Sequence, residues 1–156
     1  MTPKFIKQKT TTSRFKMIIL IDTREKLPFQ FGNAVEMINT KLEVGDYSLK
    51  GLEHLVAIER KSLDDFINST IHNRRRFTKN LMDLTRMEHK AIVVEATLKD
   101  VFMHRYKSKT HNQAVFGIVA AITGKWKIPV FFWENHAYAQ MMVEKYLKTL
   151  WDYYAR

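Results

Sequence analysis

The chain has 156 residues, 46% hydrophobic and 27% charged, which is ordinary globular usage and enough for one domain with its own core. It holds no run near the roughly 20 apolar residues of a membrane span and no apolar leader in its first residues, so a soluble, intracellular protein is expected, in the cytoplasm of a prokaryote or virus-infected cell or in a eukaryotic nucleus. There is no cysteine, which excludes disulfides, thiolate metal sites and a cysteine nucleophile, and the formal charge of +10 points to a polyanionic partner, because Lys and Arg displace counterions from nucleic-acid phosphates.

Lys4, Lys7, Lys9, Arg14 and Lys16 precede Met17 without an acid, so residues 1–16 read as a basic arm, either solvated and disordered or in contact with phosphates. Met17-Ile18-Ile19-Leu20-Ile21 is a short β-branched block that reads as a buried strand and opens the folded domain, residues 17–156. A second extended region is expected over 41–49 with Gly45 at a turn or bulge, and a third over 54–61, the two being antiparallel neighbours across a short loop. Ser62 reads as the N-cap of a short helix to about Ile71, with Asp64 and Asp65 in its first turn. Phe77, Leu81, Leu84 and Met87 predict an amphipathic helix over 74–88, with Lys79 and Asp83 four apart on another face. Ala91 to Val94 is a buried strand, 113–123 a helix and 129–133 a last strand. The closing helix is expected over 137–154, capped by Asn135, with Ala139, Met142, Val143, Tyr146, Leu147, Leu150 and Tyr154 on one face. This order puts helices over a central mixed sheet, the α/β class.

Side chains two apart on a strand share a face, so Glu59 and Lys61 project together and Arg60 points the other way. Taken alone, Glu59 and Lys61 read as a surface ion pair at a strand end. Their place after a buried apolar run changes that reading, because Asp46 comes from the preceding strand and Asp22 and Glu25 follow the first. Carboxylates gathered at strand ends without cationic partners repel one another, and a hard divalent cation removes that cost. Asp22, Asp46 and Glu59 are therefore candidate ligands for Mg2+ or Mn2+. Such an ion suits phosphodiester hydrolysis, with Lys61 placing a water or stabilising developing charge. Arg24 and Arg60 fit either phosphate contact or structural pairing. Asp65 fits either metal support or a capping box with Ser62. Arg74, Arg75 and Arg76 and the loop bearing Lys107 and Lys109 are candidate DNA-backbone contacts, the loop reading equally as a solvated charge run. The six histidines lack paired metal spacing, and Trp126, Trp133 and Trp151 read as core anchors.

Gly45-Asp46, Glu59-Arg60-Lys61 and Asp65 resemble the GD(x)nERKx3D signature of the XPF family of structure-selective endonucleases. Asp22-Thr23-Arg24-Glu25 resembles the same family's upstream DxRE element, and Arg76-Phe77 with Asn80 resembles its helix carrying an Arg and usually a Gln. Looser similarity runs through Val93-Val94-Glu95 and the closing helix, so the resemblance covers about Met17 to the C-terminus. It implies a restriction-endonuclease-like fold, a divalent metal, cutting of branched or flapped DNA, and a catalytic centre at Asp22, Asp46, Glu59 and Lys61, with Arg60 and Asp65 from the same motif. Glu25 and Asn80 would support it. A homodimer, or a partner protein supplying further DNA contacts, is also implied. Asn80 keeps the amide of the usual Gln with a shorter reach. The tandem helix-hairpin-helix modules usual in the family are not seen in these residues, which leaves the choice of DNA structure open. Two rival functions stand beside this one: a catalytically silent DNA-binding module of the same fold, and an RNA-binding or RNA-cleaving protein.

Overall fold

A computed structural model of the protein describes residues 16–156. Among the described residues six strands form one mixed sheet: β1 (Ile18–Asp22), β2 (Glu36–Thr40), β3 (Tyr47–Leu49), β4 (Val56–Lys61), β5 (His89–Val94) and β6 (Val130–Phe132). Their spatial order is β2-β1-β3-β4-β5-β6, with β3 antiparallel to both neighbours and every other pair parallel. The helices are α1 (Leu63–Ile71), α2 (Arg74–Thr85), α3 (Leu98–Phe102), α4 (Asn112–Gly124) and α5 (His136–Tyr154). This is the expected α/β class, a central mixed sheet flanked by helices, and β3 and β4 are the expected antiparallel pair. No helix among the described residues is long and apolar enough to cross a membrane. The basic arm lies outside the described residues except for Lys16, which pairs with Glu36 at 3.6 Å.

Period-two alternation along β4 divides the core. Ala57 faces a layer built from α1, α2 and α4, where Phe66, Ile67, Leu81, Leu84, Val115 and Ile122 are buried with Ile92 and Val94. Val56 and Ile58 face the other layer, where Phe29, Phe31 and the α5 residues Ala139, Val143, Leu147 and Leu150 are buried. Full burial of each such aliphatic side chain contributes about 1.5–3 kcal/mol, which clamps both layers onto the sheet. At its last turn of alternation β4 becomes charged, so Glu59 and Lys61 continue the Ala57 face and Arg60 continues the Ile58 face.

Several boundaries differ from the sequence reading. The region 41–49 is a strand only over Tyr47–Leu49; before it, Gly45 turns the chain at φ +75° and lies so close to β4 that a Cβ there would stand 3.0 Å from the Ile58 carbonyl oxygen. β2 and α3 were not anticipated. β2 is an edge strand whose side chains are largely exposed, so it lacks the apolar alternation that marks a strand, and α3 is only five residues long, held by a Thr97–Asp100 capping box. α2 stops at Thr85, and Met87, which completed its apolar stripe, is buried from the turn that follows.

Candidate active site

β1, β3 and β4 end together where β3 gives out. The Asp22 N–H donates to the Asp46 carbonyl at 2.8 Å, and the Asp46 N–H donates to the Ile58 carbonyl at 2.8 Å. Beyond Ile58, β4 has no partner on the β3 side. The Arg60 N–H, which a ladder would have used, donates instead to Asp46 Oδ2 at 2.8 Å. Gly45 allows this close approach, and so Asp46, from the turn that leads into β3, and Glu59, from β4, arrive at the same cleft.

Two adjoining hollows of about 250 and 510 Å3 make up that cleft. Arg24, Asp46, Glu59, Arg76 and Asn80 line both. Asp22, Glu43 and Asp83 close one end, and Lys61, Asp65, Asn68, Ser69 and Asn73 the other. Helices α1 and α2 form the wall opposite the strand ends. Burial, and then the charge of Glu59, push the Asp46 carboxyl up to about 8. Burial also raises the Glu59 carboxyl, against the opposing pull of Lys61. Lys61 Nζ stands 3.7 Å from Glu59 Oε1 and donates to Ser69 Oγ at 3.2 Å.

The expected cluster without cationic partners is corrected in part. Asp22 is buried and fully engaged: Oδ1 accepts from the Arg24 N–H at 2.9 Å and from Arg24 Nε at 2.7 Å, and Oδ2 accepts from the Leu42 N–H at 2.7 Å. Burial would raise its pKa, yet these bonds hold it below the usual carboxylate range. Glu25 is bound by Arg60 through two bonds of 2.6 and 2.9 Å. Among the described residues no three His, Asp or Glu side chains are grouped as a metal site. The like-charge repulsion therefore centres on Asp46 and Glu59, with Glu25 adding to it, and two partly buried oxygen donors held above their ordinary pKa in an open cleft are a set that a hard cation fits.

The remaining candidates divide by position. Arg60 turns its guanidinium to the α5 side, between Glu25 and Glu95 at 2.6 and 3.0 Å, and reaches the cleft by its backbone. Ser62 caps α1 by accepting from the Asp65 N–H at 3.1 Å, but without the return bond of a capping box, so the Asp65 carboxyl is left exposed at the cleft. Asn80 and Arg76 line the cleft, whereas Arg74 and Arg75 border a shallower hollow with His72 and Lys79. Lys107 and Lys109 stand outside it on an exposed loop, which the Lys107 N–H ties to Asp64 Oδ1 at 2.8 Å beside the start of α1. Sequence reasoning gave no site role to Ser69, Glu95 or His136. The signal for Ser69 was its spacing of four from Asp65, which puts both on one face of α1; Glu95 and His136 meet only through tertiary structure, at 2.8 Å.

Comparison with known proteins follows the same residues. The family model described as the ERCC4 domain matches residues 21–145. A protein named as an ATP-dependent RNA helicase, from Methanocaldococcus jannaschii, is 32% identical over 118 residues; the match covers 75% of this chain and 14% of that protein's length. Two structures of XPF from Aeropyrum pernix are similar in fold, each with a TM-score of 0.67. One, at 20% identity, covers 85% of this chain and 60% of its own. The other, a complex with DNA at 19% identity, covers 88% of this chain and 66% of its own.

Proposed function

The chain belongs to the ERCC4 domain family, and from that premise we propose that it is a divalent-metal-dependent endonuclease domain acting on DNA. The observation that carries this reading is the pairing of Asp46 and Glu59, two partly buried carboxylates that desolvation raises, Asp46 also through the charge of Glu59, beside Lys61 in a cleft walled by Arg76 and Asn80. Mg2+ or Mn2+ would be held by Asp46 and Glu59, and when bound it polarises a phosphoryl oxygen and lowers the pKa of a water. Asp22 would join them only if Arg24, whose side chain is 63% exposed, turned from it towards a phosphate.

The chain's own residues supply the rest. Lys61, steadied by Ser69, offers a positive charge on the face it shares with Glu59, where it orients the attacking water or offsets charge developing on the phosphate. Asp65 lies on the same wall as a polar neighbour of that water. Arg74, Arg75 and Arg76 open α2, where the helix dipole already presents its positive end and Asn73 makes no side-chain cap bond. Cations there are unfavourable in the free protein, and a DNA phosphate reverses the sign of that term. Lys107 and Lys109 extend the basic surface past α1.

DNA as substrate is supported by the solved neighbour bound to DNA, and the preference for branched or flapped forms by the family resemblance. A second copy of the chain or a partner protein would add grip on the substrate. The test is a panel of labelled flaps, forks, junctions and plain duplexes, with matched RNA forms, incubated with Mg2+, with Mn2+ and with chelator. Metal-dependent cuts in DNA, strongest near branch points, are expected; binding without cleavage would favour a silent module, and cleavage confined to RNA would favour an RNA enzyme.

A further inference from the structure

The end of β4 that carries Glu59 and Lys61 is laddered on one side only. β5 pairs it through Lys61 and Val94, while on the β3 side pairing stops at Ile58. What fixes its free side is Arg60, whose N–H holds Asp46 Oδ2 and whose guanidinium is locked in the opposite layer. Three bonds lock it: two to Glu25 at 2.6 and 2.9 Å and one to Glu95 Oε1 at 3.0 Å. The same Glu95 oxygen is 2.8 Å from His136 Nδ1. A carboxylate only accepts, so Nδ1 carries the proton and donates. His136 is the first residue of α5, set by the Asn135 cap. Its ring centroid is 4.9 Å from that of Phe29, which stacks at 5.0 Å on Tyr47, the residue after Asp46. His136 thus approaches Asp46 by two routes, one ionic through Glu95 and Arg60 and one aromatic through Phe29 and Tyr47.

We infer that Glu95 and His136 are a positioning pair for the cleavage centre, holding Arg60 so that its backbone fixes the Asp46 carboxylate against Glu59 and Lys61. Neither touches the cleft, so both act through Arg60. The inference rests on the nuclease reading for its catalytic consequence and on the hydrogen bonds alone for its structural one.

The experiment compares the wild type with His136→Ala, His136→Asn and Glu95→Gln. Asn places an amide N–H where Nδ1 stands and keeps the donor to Glu95; Ala removes it. Two readouts are taken: amide hydrogen exchange at Arg60, which needs no activity, and single-turnover cleavage with its dependence on DNA concentration. His136→Ala should speed Arg60 exchange, and should lower the maximal cleavage rate by about 10- to 100-fold, the scale for residues that orient a site's ligands, with little change in the DNA concentration at half-maximal rate. His136→Asn should restore both, and Glu95→Gln, should His136→Ala fail to fold, should behave as His136→Ala is expected to. Wild-type exchange at Arg60 in both His136→Ala and Glu95→Gln, or equal losses in His136→Ala and His136→Asn, would overturn the inference. A wild type that cuts no DNA defeats the nuclease reading, and the exchange measurement still decides whether the pair holds Arg60.

Discussion

Lys61 has two descriptions at the residue scale, ion-pair partner of Glu59 and catalyst, and a charge-deleting variant separates them. An exposed pair contributes at most about 1 kcal/mol, but the Lys61 side chain is only 13% exposed, with Ser69 as its second partner and an open cleft in front. Lys61→Met keeps the stem and removes the charge. The expected result in a single-turnover assay is a fall of about 100-fold or more, the scale for losing one charge-stabilising donor, with metal affinity unchanged or tighter. Cutting within a few-fold of wild type would reduce Lys61 to a pairing role. Asp46 carries a separate consequence, for stability. Its carboxyl is raised from 3.8 to about 8 in the fold, so between those values the native state binds a proton that the unfolded chain has released. Stability of the metal-free protein then falls as pH rises through that window. Asp46→Asn removes this loss while keeping an acceptor for the Arg60 N–H. Thermal melting in chelator should find the variant more stable than wild type at pH 8, with the gap closing towards pH 4. A gap that is constant with pH would mean that Asp46 titrates normally.

At the scale of elements, α2 opens on three arginines set against its own dipole, with no side-chain cap bond from Asn73. Each arginine at its first turn opposes the dipole by about 0.3–1 kcal/mol. Replacing Arg74, Arg75 and Arg76 together by Ala should therefore leave melting unchanged or raise it, while DNA affinity falls and the slope of log affinity against log salt flattens by up to about 3. Unchanged binding would leave these arginines as a solvated run. The elements also show what could be read in advance. α1 and α5 were legible because a cap residue and a periodic stripe marked each, and the convergence of Glu59, Lys61 and Asp46 followed from strand alternation and the Gly45 turn. β2 was not, since an edge strand with exposed side chains carries no apolar alternation; for Arg24 structural pairing stood open beside phosphate contact, and its bonds to Asp22, like that of the Leu42 N–H, depend on a loop geometry that spacing does not encode. Arg60 was read onto the correct face by alternation alone, but its partners Glu25 and Glu95 each lie 35 residues away in sequence.

For the whole molecule, charge is unevenly distributed. Half of the formal +10 precedes Met17, while the carboxylates of the cleft sit at the strand ends of the folded domain. Deleting residues 1–16 should weaken DNA binding and flatten its salt dependence while leaving the metal requirement of cleavage unchanged; equal affinity and slope would show that these residues meet no phosphates. The match spans 14% of the length of the M. jannaschii protein. The central claim is that Asp46 and Glu59 hold a divalent cation with which the domain hydrolyses DNA. Its most direct test is single-turnover cleavage of one labelled branched DNA by wild type and Asp46→Asn across a Mg2+ titration, with DNA affinity measured in parallel. The account predicts metal-dependent cleavage by the wild type, and in Asp46→Asn loss of that cleavage at every Mg2+ concentration with DNA affinity retained; near-normal cutting by Asp46→Asn would contradict it.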